Sequence, residues 1–184
     1  MYVVTYKGAF AYIKPWTAVR DGETFSQQFL TPSIIEGIEK KLFPELLFVG
    51  GIQKILRHKL CYDSMSAQQE VVQARGWHYK NRTFLRDRSV LTRNILLHPI
   101  LYIAFEQEED AIVASQQHIC LCRNEDVMLP DAEISTFTDE EFSKLPGFEL
   151  RFGESEQSFL VGYNRFNNIE PMYGWLEYNG KALL

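Results

Sequence analysis

The sequence predicts an α+β fold in which a mostly antiparallel sheet carries helices on one face. Short segments rich in β-branched and aromatic residues recur along the chain and are bounded by turn residues. Two segments begin with helix-capping residues. The 184 residues are 46% hydrophobic, which is enough apolar material for the core of one domain. We therefore expect a single domain over residues 1–184.

The first elements are predicted from local signals. The segment 2–12 is rich in β-branched and aromatic residues and predicts a strand, with Gly8 at a bulge. Thr31 can cap a helix and Pro32 suits its first position, while Pro44 ends it. The apolar residues at helical spacing are Ile34, Ile35, Ile38 and Leu42. A buried turn or short strand at 46–49 and a strand at 52–62 follow.

The later elements are shorter. Residues 94–105 form one apolar strand interrupted by Pro99, which indicates an edge or a bulge. Thr138 and Glu141 form a capping box before a short helix. The other predicted elements are a helix at 111–117, an acidic loop at 124–136, and strands at 119–122, 148–152, 158–161 and 173–178. This order is that of the ferredoxin-like arrangement that RNA-recognition domains use.

The charge is distributed unevenly. The net charge is −5, yet residues 51–95 hold nine basic and three acidic side chains, while the rest of the chain holds 10 basic and 21 acidic ones. Basic groups hold phosphates and aromatic rings stack on bases, so the segment suits single-stranded nucleic acid. We expect a long hairpin or mobile insertion at about 61–92, between core segments 1–60 and 93–184. The candidate RNA-binding residues are Arg75, Trp77, His78, Tyr79, Lys80, Arg82, Phe84, Arg86, Arg88 and Arg93, flanked by Lys14 and Arg20 from the end of the first strand.

Several other classes of function find no support in the sequence. No apolar run approaches the roughly 18–20 residues that span a bilayer, and no signal peptide is recognisable. Three cysteines make a disulfide framework improbable, so we expect a cytoplasmic protein. The histidines lack second ligands at suitable spacing, and no phosphate-binding glycine loop is present. We expect neither a metal nor a cofactor.

Four segments of the chain form a pattern when they are taken together. The first is Phe10-Ala11-Tyr12-Ile13-Lys14-Pro15, a strand that ends in a basic residue and a proline. The second is the Pro32-Ser33 helix, with Gly37 five residues after the proline. The third and fourth are Arg93-Asn94-Ile95-Leu96-Leu97 and Gly174-Trp175-Leu176. In their joint order these segments resemble CRISPR-associated family-five proteins, most closely their type I-C branch, and the similarity covers roughly residues 1–60 and 90–105 and the C-terminal part.

The resemblance implies a function. Such proteins have an RNA-recognition-like fold with a β-hairpin thumb and cap the 5′ handle of the guide RNA in type I surveillance complexes (Cascade-like complexes). Their partners are the guide RNA, the backbone and large subunits and, indirectly, target DNA, with no membrane. The thumb of this chain would be residues 61–92, the segment in which the basic residues are concentrated.

The type I-C branch also cuts precursor RNA without a metal, using a tyrosine at the end of the first helix and a later lysine-histidine pair. Here Phe43 stands in the place of the tyrosine, and the later segment 106–110 is acidic. We therefore expect a non-catalytic RNA-binding subunit. Two alternatives stay open: a metal-independent endoribonuclease that uses His78, Tyr79 and Lys80, and a protein-interaction module whose basic segment docks an acidic partner.

Overall fold

The computed structural model describes residues 1–13, 22–73, 76–86, 88–164 and 169–180. In chain order the strands are β1 (Tyr2–Lys7), β2 (Phe10–Ala11), β3 (Glu23–Phe25), β4 (Ile55–Cys61), β5 (Ser64–Gln73), β6 (His78–Lys80), β7 (Thr83–Leu85), β8 (Arg88–Leu97), β9 (Ile100–Phe105), β10 (Ile119–Cys120), β11 (Val127–Thr136), β12 (Gly147–Phe152), β13 (Phe159–Asn164) and β14 (Glu170–Asn179). The helices are α1 (Pro32–Leu42), α2 (Glu108–Ser115) and α3 (Asp139–Lys144), with a 3-10 turn at Pro44–Leu46.

Eight strands form the main sheet, in the order β10-β11-β1-β9-β4-β12-β14-β13. Every neighbouring pair in it is antiparallel. A second sheet is built around β8, which pairs with β5 on one side and with β2 and β3 on the other. The structure thus confirms the predicted α+β class. In the part of the chain described, no helix is long and apolar enough to cross a membrane.

The main core lies between the sheet and the two longer helices. Val4 and Tyr6 of β1 point to this side, because alternate residues of a strand face the same way. They pack with Ile38 of α1 and Ala114 of α2, and the Tyr6 hydroxyl donates to the Ala114 carbonyl at 2.7 Å. These two helices share one face, as predicted.

The short helix α3 packs on the opposite face of the sheet, so the prediction that the helices share one face was wrong for this helix. Val3 and Ala104 are buried there against Phe142. The predicted capping box at the start of α3 is confirmed, since the Thr138 side chain accepts from the Glu141 backbone and the Glu141 carboxylate accepts from Thr138 N. Local polar groups therefore define where this helix begins, while Phe142 fixes which face it covers.

Two predicted strands are divided in the structure. The segment predicted as one strand at 2–12 becomes β1 and β2 in different sheets, and the chain leaves the main sheet at Gly8. A side chain at Gly8 would lie 3.0 Å from the Val127 carbonyl and 3.2 Å from Met128 Cγ, so the crossing needs glycine. The segment predicted at 94–105 becomes β8 and β9, because Pro99 and the positive φ of His98 (47°) form a turn.

Two loop predictions were wrong. The acidic segment 124–136 forms β11 instead of a loop. Pro130 is tolerated there because it lies opposite Tyr6, where the β1–β11 register shifts and a missing N–H disrupts little. The turn at 46–49 is not buried: Leu47 and Val49 are exposed, and Phe48 is 97% exposed. Apolar character alone could not distinguish a core turn from a surface turn.

Candidate nucleic-acid interface

Strands β5 and β8 form a long hairpin (residues 64–97) at the position predicted for the insertion. Ten residue pairs run in unbroken register from Ser64 opposite Leu97 to Gln73 opposite Arg88. At about 3.4 Å per residue the two strands are roughly 30 Å long. Ile95 and Leu96 are fully buried, whereas Arg88–Val90 are exposed, so only the root of the hairpin belongs to the core.

The root is held by two further strands on the side of β8 opposite β5. β3 pairs in parallel with residues 92–94, and β2 pairs with Leu96 and Leu97. The backbone N–H of Ser26 donates to the Asn94 carbonyl at 2.8 Å, and that of Ile13 donates to Ser26 Oγ at 2.9 Å. The long hairpin is therefore anchored by strands from the N-terminal segment while its outer half projects from the body.

The hairpin tip (residues 76–86) is a second, smaller hairpin made of β6 and β7. His78, Tyr79 and Lys80 lie opposite Leu85, Phe84 and Thr83. The two turn residues, Asn81 and Arg82, have φ of 51° and 63°, as the tight turns favoured in two-residue hairpins require. A non-glycine residue with positive φ is energetically costly. The turn nevertheless places Arg82, whose side chain is exposed, between β6 and β7.

Three aromatic side chains of the tip are largely in solvent. Trp77, Tyr79 and Phe84 are 65%, 63% and 68% exposed. The Tyr79 and Phe84 rings are paired across the strands with centroids 5.1 Å apart. Exposed rings of this kind offer stacking surfaces for unpaired bases, and such stacking tolerates any base sequence.

Cationic groups surround these rings. The Arg86 guanidinium lies 5.3 Å from the Trp77 ring centroid and donates to Gln73 Oε1 at 3.1 Å. Lys80 and Arg82 flank the turn and Arg88 begins β8, all of them exposed. The tip therefore combines stacking surfaces with charges that can neutralise phosphates, the pairing expected of a single-strand RNA site.

The strand register places the three residues of the endoribonuclease alternative, His78, Tyr79 and Lys80, on two different faces of β6. His78 and Lys80 alternate with Tyr79 along β6, so Tyr79 lies on the other face of the strand from both. All three side chains are exposed. In this arrangement the three groups do not converge as a general base and acid around one phosphate would.

Arg93 lies at the root of the hairpin and not at its tip. Its Nε donates to Glu70 Oε2 at 2.7 Å, and its guanidinium lies 5.2 Å from the Tyr12 ring. Arg123 lies 5.5 Å from the same ring and is paired with buried Asp126 at 2.6 Å. Two guanidinium groups thus flank one tyrosine where the hairpin leaves the body. Neither Tyr12 nor Arg123 was predicted for the site, because both are distant in sequence from the hairpin tip.

The predicted basic segment includes three residues that serve the core. Lys54 pairs with Asp110 at 2.7 Å. Arg57 pairs with Glu149, and the Lys59 ammonium donates to the carbonyls of Phe142, Ser143 and Leu145 at the end of α3. The charge count over 51–95 therefore overstates the exposed basic surface. The other six basic side chains of the segment lie in residues 64–97, together with two acidic ones.

Three predicted site residues, Lys14, Arg20 and Arg75, lie outside the described residues. Phe43, which replaces the tyrosine of the type I-C branch, is buried against Phe105 with ring centroids 5.9 Å apart. The acidic stretch at 106–110 includes the first turn of α2, where carboxylates stabilise the positive end of the helix dipole. Within the described part of the chain, no group of three or more His, Cys, Asp or Glu could hold a metal ion.

Comparison with known proteins finds similarity in structure only. No protein-family model and no curated protein sequence matches the chain. The fold is similar to that of a chain in a solved structure described as a "CRISPR RNA-guided surveillance complex", with a TM-score of 0.55 and 10% sequence identity. The match covers 97% of this chain and 89% of that chain. The two proteins therefore share an α+β architecture over nearly their whole lengths.

Proposed function

We propose that this protein is a non-catalytic RNA-binding subunit of a Cascade-like type I CRISPR surveillance complex. In this proposal it caps the 5′ handle of the guide RNA, contacts the neighbouring backbone subunit, and works in the cytoplasm. The observation that carries the proposal is the hairpin tip, where three exposed aromatic rings stand among Lys80, Arg82, Arg86 and Arg88.

The fold of the whole chain supports an RNA-binding role for this tip. A chain of a CRISPR RNA-guided surveillance complex has a similar fold over nearly its whole length. RNA-recognition folds bind unpaired RNA by stacking bases on aromatic side chains and by holding the backbone with basic ones. A tip carried by the projecting outer half of a ten-pair ribbon can reach both an RNA end and an adjoining subunit.

The non-catalytic form of the proposal is supported by the placement of the candidate groups. Tyr79 faces away from His78 and Lys80. Phe43 has no hydroxyl and is buried. The acidic first turn of α2 would repel a phosphate. We expect repeat RNA to stay intact on long incubation with the purified protein in chelator, and cleavage that a His78→Ala variant abolishes would establish the endoribonuclease instead.

The first experiment is purification of the tagged protein from its host with its RNA, followed by sequencing of RNA 5′ ends. We expect one RNA class with a common 5′ end and many different downstream sequences. A Lys80→Ala/Arg82→Ala variant should lose most of this RNA, whereas Lys41→Ala/Lys144→Ala, which removes two exposed charges elsewhere, should keep it. Ribosomal fragments, or protein partners without RNA, would favour docking of an acidic protein on the basic hairpin.

A salt titration tests the same interface in isolation. If about four phosphates are neutralised, the logarithm of the affinity for single-stranded repeat RNA should fall with the logarithm of salt concentration at a slope near −3. The double tip variant should reduce that slope by about one to one and a half, because two phosphate contacts are lost. A slope near zero would contradict the proposal.

A further inference from the structure

Strand β13 forms one edge of the main sheet, whereas the hairpin belongs to the second sheet. Among the described residues β13 pairs with β14 along one edge only. Its sequence, Phe-Leu-Val-Gly-Tyr-Asn, contains no charged residue and no proline. Proteins usually protect an edge strand with lysine, proline or a covering element, because its unpaired N–H and C=O groups attract further strands. Within the residues that the structure describes, the protection of this edge is limited to one bulge between Leu160 and Gly162.

A cleft lies beside this edge. It has a volume of about 760 Å³ and is enclosed by β13, β14, the start of α1 and the Gly51-Ile52 turn. Its lining is rich in apolar and aromatic groups, among them Tyr163, Met172 and Tyr173. Tyr163 and Tyr173 are both exposed. Unpaired backbone groups beside apolar pockets are the combination by which an added strand is recognised.

The apolar surface extends past the cleft. Phe48, the most exposed large apolar side chain in the described structure, is three residues from Gly51 in the cleft wall. A three-residue separation limits the distance between their Cα atoms to about 11 Å. Phe48 therefore stands within reach of a ligand segment that occupies the cleft and continues beyond it.

Gly162 keeps the cleft open. Its φ is not in the left-handed region, and a Cβ added to it would meet only Met172 Cε, at an ordinary 3.8 Å. Neither backbone conformation nor crowding therefore requires glycine here. Because Gly162 and Met172 both line the cleft, a side chain at 162 would occupy space that the glycine leaves empty.

The charges around the cleft indicate its occupant. The exposed Glu154 lines it, as does Glu36, whose carboxylate is paired with Lys40 at 2.6 Å. No basic side chain lines the cleft in the part of the chain that the structure describes. An RNA backbone would meet these carboxylates unfavourably. A second copy of this chain would bring the same carboxylates and a net charge of −5. A segment of another protein with basic residues would be attracted.

We propose that β13 and the adjoining cleft bind an extended segment of a partner protein, which adds as a strand to the sheet edge. Its apolar side chains enter the cleft beside Tyr163 and Tyr173, and its flanking lysine or arginine residues face Glu154. This surface is separate from the RNA-binding tip and stands whether or not the proposed function is correct.

The test compares two substitutions with matched controls in tagged protein purified from its host after nuclease treatment. Gly162→Val fills the cleft, and Ala132→Val on exposed β11 is its control. Leu160→Lys charges the edge strand at a side chain that is 44% exposed, and Val113→Lys on α2, at 43%, is its control. The second pair keeps the test decisive if the valine variant folds poorly.

We expect a partner protein whose yield falls at least tenfold with either cleft variant and is unchanged with either control. RNA recovered without nuclease should stay the same, which separates this proposal from the proposed function. The β13 amides should exchange hydrogen at least tenfold more slowly in the partner complex than in the free chain. Equal exchange rates, absence of any such partner, loss of RNA, or a dimer that Gly162→Val dissociates would each overturn the proposal.

Discussion

Arg57 and Glu149 form a two-pronged ion pair within the main sheet, with Nε–Oε1 at 2.9 Å and Nη2–Oε2 at 2.6 Å. Their side chains are 5% and 2% exposed. A buried carboxylate left without its partner carries a large desolvation cost. The pair therefore makes Arg57 a structural residue, although in sequence it belongs to the basic segment.

Arg57→Ala should lower the free energy of unfolding by about 3–5 kcal/mol, because Glu149 would be buried without a partner. Urea denaturation measures the change. Arg57→Met/Glu149→Leu should recover most of it, since two apolar residues need no ion pair. RNA affinity of the folded protein should not change, and a loss of affinity at full stability would place Arg57 in the RNA site instead.

Trp77→Ala should weaken binding of single-stranded repeat RNA by about 1–3 kcal/mol, because one stacking surface is lost. The melting temperature should stay the same, since the ring is mostly in solvent. Phe48→Ala, another exposed aromatic residue, is the matched control and should leave RNA affinity unchanged. Equal effects of the two substitutions, read by fluorescence anisotropy, would argue against a specific stacking role for the tip.

Arg82→Gly should separate stability from binding. Glycine adopts a φ of 63° without the cost that arginine carries, so the variant should be as stable as the parent or more so by about 1 kcal/mol. The salt slope for RNA binding should fall by about 0.7, because one phosphate contact is lost. Arg82→Lys keeps the charge and should keep the slope. A stabilised Arg82→Gly protein with an unchanged slope would exclude Arg82 from the interface.

His58 should make the protein sensitive to acid. Burial lowers the pKa of His58 from 6.5 to about 4. The unfolded chain therefore binds a proton between these pH values that the folded chain does not, so stability is complete above pH 6.5 and declines as the pH falls toward 4. The loss is on the order of 3 kcal/mol. Denaturation midpoints across this range should decline less in His58→Gln, and identical pH profiles would refute the assignment.

Gly174→Ala should destabilise the C-terminal strands severely. A Cβ at this position would overlap the Arg151 carbonyl oxygen of the paired strand β12 and lie 3.0 Å from Val161 Cγ2. Because backbone atoms cannot move aside easily, we expect a loss of about 2–4 kcal/mol. Gly162→Val, which meets no such crowding, should be tolerated. Thermal unfolding of the two variants provides the comparison.

Local signals were sufficient to predict several elements. Pro32 and Pro44 bound α1 because proline fits only the first turn of a helix, and Thr138 and Glu141 cap α3 through adjacent backbone groups. The hairpin tip was likewise identified from composition, because basic and aromatic residues close together in sequence stay close in a hairpin. These are properties that depend on neighbours within a few residues.

The position of each element in the sheets depended on contacts between distant residues. β11 became a strand because β1 pairs with it, despite Pro130, and the apolar stretch 94–105 was shared between two sheets. Sequence alone determined the composition of the hairpin tip and the class of fold. Tertiary structure alone decided which basic residues the core would use, since Glu149 lies 92 positions from Arg57 and only folding brings their charges together out of water.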